Sequence, residues 1–255
     1  MKQHDLKEFL DSKVEQFNTP EYIKSDPISI PHRFSKMEDI EISAFLASSI
    51  AWGLRKTIIK NANSLIEKMD NSPFDFVMNA NERDLKSFTT FKHRTMNGDD
   101  ALFFITSLIN IYRNHGGLKN VFELNYEKTQ NIQQTLKNFR DVFFEIPHLK
   151  RSEKHISDTS KNSAAKRLNM MLRWLIRSDN NGVDFGIWKN ISASALYIPL
   201  DVHAGNVSRK LGLLNRTQND WKAVDELTQN LRKFDANDPV KYDFALFGLG
   251  VFEKF

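Results

Sequence analysis

With 255 residues, 40% of them hydrophobic and 27% charged, the chain is long enough to bury a substantial core as one large domain or two lobes, and too apolar to be disordered. It has no cysteine, which excludes disulfides, thiolate zinc sites, a cysteine nucleophile and a cysteine-ligated iron–sulfur cluster, and suits a reducing cytoplasm. The formal net charge of +4 is modest, no basic-then-apolar leader is present, and no apolar run reaches the ~18–20 residues that cross a bilayer, so no membrane role is expected.

Twenty phenylalanines against ten glycines and seven prolines favour long helices over a turn-rich β architecture. Residues 38–69 read as one or two helices: Ile42, Phe45, Leu46, Ser49 and Ile50 recur at helical spacing, then Ile58, Ile59, Ala62, Leu65 and Ile66, with Gly53 as the break. Asn71-Ser72-Pro73 is a stop. The clearest helix is 99–114, with Asp99 and Asp100 at its positive end, a core stripe of Ala101, Ile105, Leu108 and Tyr112, and His115-Gly116-Gly117 as its terminator. A helix over 131–145 precedes a polar, basic connector, 147–162. Helices are then predicted over 163–177, 202–213, 220–233 and 239–252, with SDNNG (178–182) ending the first and Asp238-Pro239 opening the last. No β alternation, repeat or low-complexity tract appears, and the expected fold class is all-α.

Positive charge is concentrated. Residues 150–177 carry Lys150, Arg151, Lys154, Lys161, Lys166, Arg167, Arg173 and Arg177 against only Glu153 and Asp158. Such a segment on a near-neutral body is what a polyanion partner requires, or else a solvated charged loop.

The most informative stretch is IPLDVHAGNVSRKLGLL (198–214). Asp201 follows a proline-containing loop and precedes an amphipathic helix bearing Arg209 and Lys210, so its carboxylate is placed to cap backbone N–H groups of the first turn. On the helix 163–177, Ala165, Leu168, Leu172, Leu175 and Ile176 mark the buried side. At ~100° per residue, Arg173 and Arg177 fall within about 20° of Lys166 around the axis, forming a positive line beside the apolar face. A lysine near other cations and apolar surface has its charged form disfavoured, and a neutral amine is what a Schiff-base nucleophile must be. Phosphate binding or simple solvation of the helix is the alternative for the same line.

The order of Asp201, its helix and the closing YDFALFGLG (242–250) resembles the C-terminal half of the helix-hairpin-helix DNA glycosylase superfamily, the group of endonuclease III and the 8-oxoguanine glycosylases. ISAFLASSIAWGLRKTIIKNANSLIEKM (42–69) is similar to its early helix pair, and IYRNHGGLKNVF (111–122) to the helix end before the hairpin. The Gly-rich hairpin itself is absent, with SDNNGVDFGIWKNISASAL (178–196) in its place, and Val183 stands where bifunctional members carry their lysine. The archaeal-type 8-oxoguanine branch also has a diverged hairpin and an upstream lysine, which Lys166 resembles; Lys189 is the second choice. The chain is also similar to a bacterial family without an assigned activity at the edge of this superfamily.

The resemblance implies an all-α, two-lobed fold without an iron–sulfur cluster, one lobe over 36–195 and the other made of 1–35 with 196–255, and a cleft between them. It implies a base-excision glycosylase with lyase activity on damaged double-stranded DNA, an oxidised purine such as 8-oxoguanine being the lesion the resemblance suggests. Asp201 would be the electrostatic and acid/base group and Lys166 the amine, while Arg173, Arg177, Arg209, Lys210, Arg55 and Arg94 would hold phosphates. Trp52, Trp188 and His203 would line a pocket for the everted base, although a tryptophan in either place is also a natural core residue. His93, Arg94 and Asn97 are placed to touch DNA or to cap the helix near Asp99, capping being preferred for Asn97. Asp201 and His203 have a metal-like spacing without further ligands, so no metal and no cofactor are expected, and the protein is expected to act as a monomer. The rival readings are a non-catalytic nucleic-acid binder on the same scaffold and a helical protein-interaction module.

Overall fold

A computed structural model describes residues 3–255; Met1 and Lys2, part of the segment expected over 1–35, lie outside the described residues. The described chain is all-helical. Its α-helices are α1 (Gln3–Phe17), α2 (Pro20–Ser25), α3 (Met37–Ser49), α4 (Arg55–Glu67), α5 (Pro73–Asn79), α6 (Glu82–Leu85), α7 (Gly98–Asn114), α8 (Gly117–Thr129), α9 (Ile132–Phe143), α10 (Lys166–Ile176), α11 (Val202–Lys210), α12 (Trp221–Arg232) and α13 (Tyr242–Val251), joined by short 3-10 turns. Extended pairing among the described residues is limited to the isolated bridges His93–Met96 and Ser163–Asp220. None of these helices is long and apolar enough to cross a membrane.

The chain divides into two compact units, 25–158 and a discontinuous one made of 1–24 with 159–255. The boundary expected at 195/196 is corrected accordingly: α10 and the irregular segment after it pack with the C-terminal helices. The helix buries Leu168, Met171, Leu172, Trp174, Leu175 and Ile176, and Arg173 on it and Arg177 just after it find carboxylate partners at positions 184, 238 and 243.

In the unit 25–158, every residue of α3 from Ile40 to Ser49 is buried, so this helix is surrounded rather than amphipathic. The abundant phenylalanines meet here. Phe45 lies 5.9 Å from Phe104 and 5.4 Å from Phe143, Phe104 lies 4.9 Å from Phe143, and Phe122 stacks on Phe139 at 4.5 Å. Such pairs each add about 0.5–1.5 kcal/mol beyond area burial. α7 opens with a capping box in which Asn97 and Asp100 exchange side-chain-to-backbone hydrogen bonds, so Asn97 is a cap. Asp100 does more than complement the dipole: it is fully buried and accepts from Arg151 (2.6 Å) and Ser152 Oγ (2.7 Å), with His155 Nε2 at 3.2 Å. Arg151 thereby anchors the basic connector, while Lys150, Lys154 and Lys161 on it are exposed. Gly116, at φ +75°, ends α7 in the left-handed conformation that favours glycine.

In the discontinuous unit, α13 is the buried element, with Tyr242 to Leu246, Gly248 and Leu249 all inside. Glycine lets its neighbours come close. A side chain at 248 would run into the ring of Phe17 on α1, and one at 250 would meet His203 Cβ on α11 at 2.9 Å. α10 starts three residues later than the periodicity predicts because Ala165 adopts a left-handed conformation (φ +47°), which makes Lys166 the first helical residue. Residues 177–192 form an irregular loop rather than a helical hairpin. Its Phe185 and Trp188 amides donate to the Trp174 and Leu175 carbonyls (2.7 and 2.9 Å), satisfying the last turn of α10.

Candidate active site

Two helix starts meet in the discontinuous unit. Asp201 is the N-cap of α11: its Oδ1 accepts from the Ala204 N–H at 2.8 Å, and its carbonyl accepts from the Asn219 amide at 3.0 Å. One carboxylate oxygen serves the cap and the other is turned toward α10, where Lys166 Nζ lies 3.7 Å from Oδ2. The positive end of a helix dipole is unfavourable for a cation, so an ammonium at the first position of α10 gains from the carboxylate opposite it. Neither group is sealed: the side chains are 31% and 14% exposed. The structure thus brings together the acid and the amine singled out in the sequence.

The line of cations along α10 has a different meaning from the one expected. Arg173 is 1% exposed and Arg177 3% exposed, so neither can hold a DNA phosphate. Arg173 donates to Asp184 (3.3 Å) and to Asp243, and its guanidinium lies 4.3 Å from the centre of the Phe244 ring. Arg177 meets Asp184 (2.9 Å), Asp179 (2.5 Å) and Asp238 (2.9 Å). Helical spacing places these arginines in line with Lys166, but the line continues inward into a buried ionic network. The two arginines are matched by carboxylates, so Lys166 does not stand in an uncompensated cationic field.

Asp243 is the site residue that sequence reasoning missed. It lies on α13, is 6% exposed, and carries its charge among the groups of the site. Burial pushes its carboxyl up to about 6, against the pull of Arg173; the Asp201 charge pushes in the same direction as burial, and Lys166 opposes it. Burial likewise holds Asp184 and Asp238 above the ordinary carboxylate range, despite Arg173 and Arg177 beside the first and Arg177 beside the second. A signal for Asp243 was present: an acid inside the otherwise apolar run YDFALFGLG needs a buried partner.

The remaining predicted residues of this unit scatter in role. Arg209 is half-buried and latches the following loop, donating to the Arg216 carbonyl at 2.8 Å and the Asn219 amide oxygen at 2.5 Å. Asn219 in turn holds the Asp201 carbonyl, so Arg209 braces the start of α11 through it rather than reaching outward. Lys210 is exposed beside the Phe255 ring. His203 is exposed on the first turn of α11. Trp188, expected against a base, is 0% exposed and belongs to the core. Val183 is equally buried, whereas Lys189 is exposed and has no carboxylate partner among the described residues. Among those residues no group of three or more His, Asp or Glu side chains is placed to hold a metal ion.

The unit 25–158 carries the other predicted contacts. Trp52 is half-buried, edge-on to His93 (4.8 Å between ring centres) and stacked on His155 (6.0 Å), while His93 Nε2 reaches the Trp52 carbonyl at 3.2 Å. Gly53 follows at φ +108°, and the exposed Arg94 side chain lies over it, so close that a Cβ at 53 would meet its guanidinium at 3.0 Å. Trp52 and Arg94 therefore lie together at the surface of the unit, with the half-buried Arg55 at the start of α4. A pocket of about 390 Å³ between α3, α5, α7 and α8 is lined by Glu41, Tyr112, Lys119 and Glu123 among others. Within it Tyr112 donates to Glu41 at 2.8 Å and Lys119 pairs with Glu123 at 2.7 Å, and Glu38 adds a further carboxylate to the lining.

A family model described as Protein of unknown function (DUF2400) matches residues 26–252, which takes in α3 to α13 and both site residues. The chain belongs to that family. No curated protein and no solved structure matches it. The DUF2400 match covers most of both units, Asp243 included.

Proposed function

We propose that the protein is a DNA base-excision glycosylase with lyase activity, on a fold of the helix-hairpin-helix glycosylase type whose hairpin is replaced by the irregular 177–192 loop. The observation that carries this reading is the 3.7 Å approach of the Lys166 amine to the Asp201 carboxylate at a partly exposed surface. Breaking an N-glycosidic bond builds positive charge on the sugar, which a carboxylate held at a helix start stabilises without reorganisation. Lys166 attacks the anomeric carbon through the Nζ lone pair, its surplus proton passing to solvent, as the bond to the base breaks; the base leaves with the electron pair and takes a proton. The sugar ring then opens to an imine on Nζ, and loss of a C2′ proton expels the 3′ phosphate. The exposed Lys210 in the unit of this pair, and the exposed Arg94 in the unit 25–158, are predicted cations available for backbone contacts, each within its own unit.

The test is reduction with borohydride during incubation with a duplex carrying 8-oxoguanine. The wild-type protein is expected to form a covalent adduct. Lys166→Gln should abolish it, and Asp201→Asn, which keeps a cap of equal quality, should slow it by about 10²–10⁴-fold. A wild-type protein that binds the duplex without an adduct would instead be a non-catalytic binder, and an adduct insensitive to Lys166→Gln would move the chemistry elsewhere.

A further inference from the structure

The cavity in the unit 25–158 takes no part in the chemistry just described. The helices around it contribute neighbouring pairs from one face each: Glu38 and Glu41 from α3, Phe74 and Met78 from α5, Lys119 and Glu123 from α8. They enclose about 390 Å³, a volume in the range of small-molecule sites. Glu41 is 2% exposed, and its Oε2 accepts from the Tyr112 hydroxyl at 2.8 Å. The Tyr112 ring lies against Gly117, where a Cβ would meet it at 3.0 Å. Glu123 Oε2 accepts from Lys119 at 2.7 Å. Glu38 is half-buried and has no ion-pair partner among the described residues.

The lining thus carries three carboxylates against one ammonium. The charges beside it do not make up the difference. Lys36 lies over the Phe74 ring at 4.0 Å and Asp39 accepts from the Phe74 N–H at 2.8 Å, one charge of each sign. Arg113 on α7 is turned to the Val77 and Ala80 carbonyls at the end of α5. The rest of the wall is apolar and polarisable: Phe74, edge-on to Tyr112 at 5.8 Å, and the exposed thioethers of Met37 and Met78. Aromatic faces attract an organic cation, and the Lys36 ammonium over Phe74 displays that attraction within the chain itself. A metal ion is a poorer match, since no three acidic or histidine side chains among the described residues are placed to hold one.

We propose that this cavity binds a small free alkylammonium, its charge at Glu41 and Glu38 and its aliphatic part against Phe74, Met37 and Met78. An ammonium suits the site better than a guanidinium. One oxygen of Glu41 and one of Glu123 are already engaged, which works against the two-pronged grip of a guanidinium on a carboxylate. The site belongs to a different unit from Lys166 and Asp201 and does not depend on the chemistry assigned to them.

The test is an NMR titration of the intact protein labelled at its methionine methyl groups, with Met37→Leu and Met78→Leu assigning the two signals that report the cavity. Butylammonium chloride is expected to shift both saturably, while Met171, buried in the other unit, stays unmoved and reports the fold. Sodium butanoate and magnesium chloride at the same ionic strength should give no saturable shift. Glu41→Gln keeps the shape and the acceptor for Tyr112 but removes the charge, and should weaken binding by about tenfold or more; Glu38→Gln should weaken it severalfold. Should Glu41→Gln fail to fold, Glu38→Gln and the butanoate and magnesium comparisons decide the matter. No saturable shift with butylammonium, an equal response to butanoate or magnesium, or unchanged affinity in the glutamine variants overturns the proposal. N-acetyl-lysine methylamide carries the same head group on a peptide-like body. Weaker binding of it than of butylammonium is expected, and a clear preference for it would overturn the assignment to a free amine.

Discussion

Arg173→Met is the substitution that most sharply separates a buried network from a DNA-binding line. Methionine keeps most of the aliphatic contact with Phe244 but removes the guanidinium that serves Asp184 and Asp243. Breaking one side of a buried ion pair leaves uncompensated charge and costs about 3–5 kcal/mol. At about 2–4 °C per kcal/mol for a chain of this size, the melting temperature should fall by roughly 10 °C. The loss should also depend on pH in a defined sense. Asp184 and Asp243 are held above the ordinary carboxylate value in the folded state, and removing Arg173 raises them further. A carboxyl raised on folding is unfavourable above its folded value, and the penalty is relieved as pH falls through that value toward the unfolded one. The deficit of Arg173→Met is therefore largest above the variant's further-raised carboxyl values and shrinks as the pH falls from there toward about 6, where the wild-type Asp243 itself takes up a proton, provided the parallel wild-type melt is subtracted. Thermal melts by circular dichroism at pH 7.5 and 5 measure both terms. A surface arginine would give a change within about 0.5 kcal/mol at either pH, and that result would refute the reasoning.

Further expectations follow from single contacts. Trp188→Ala should lose about 3–5 kcal/mol in urea unfolding because the side chain is wholly enclosed, and its effect on DNA affinity should be no larger than the fraction unfolded explains. Gly98→Ala should cost about 1–3 kcal/mol or more, since a methyl group there lands on the backbone carbonyl of Thr89, which cannot swing away. Arg94→Gln should reduce the slope of log affinity against log salt for a duplex by about one, while Arg177→Lys should leave that slope unchanged.

The helices that announced themselves did so through their ends. Asn97 before two aspartates, Gly116 after the last apolar turn and Asp201 after a proline loop each perform the terminal role that their chemistry dictates. α1 lacks such punctuation, and Gly116-Gly117, which opens α8, reads equally well as the end of α7 alone. The buried stripes of α1 and α8, Leu6, Leu10 and Val14 in one and Leu118, Val121 and Phe122 in the other, are thin and sit among polar residues. The start of α10 was misplaced because nothing in the sequence marks Ala165 for a left-handed conformation.

The site was legible where a local rule applied and illegible where partners came from far along the chain. Asp201 follows from capping, and Lys166 from its place on the neighbouring helix. Helical periodicity aligns Arg173 and Arg177 with Lys166, yet it carries no information on whether that side faces water or acids at 179, 184, 238 and 243. The same limit applies to Trp188 and Trp52. Both are tryptophans in loops beside helix ends, and one is enclosed while the other keeps a partly open face against two histidines.

Peptide mapping of the borohydride-reduced adduct tests the central claim most directly, since it names the amine that met the sugar. Trypsin cannot cut after a modified lysine, so the account predicts an adduct-bearing peptide spanning 162–167, with the nucleotide remnant on Lys166. An adduct at Lys189, or none in a protein that still binds the lesion-bearing duplex, would contradict it.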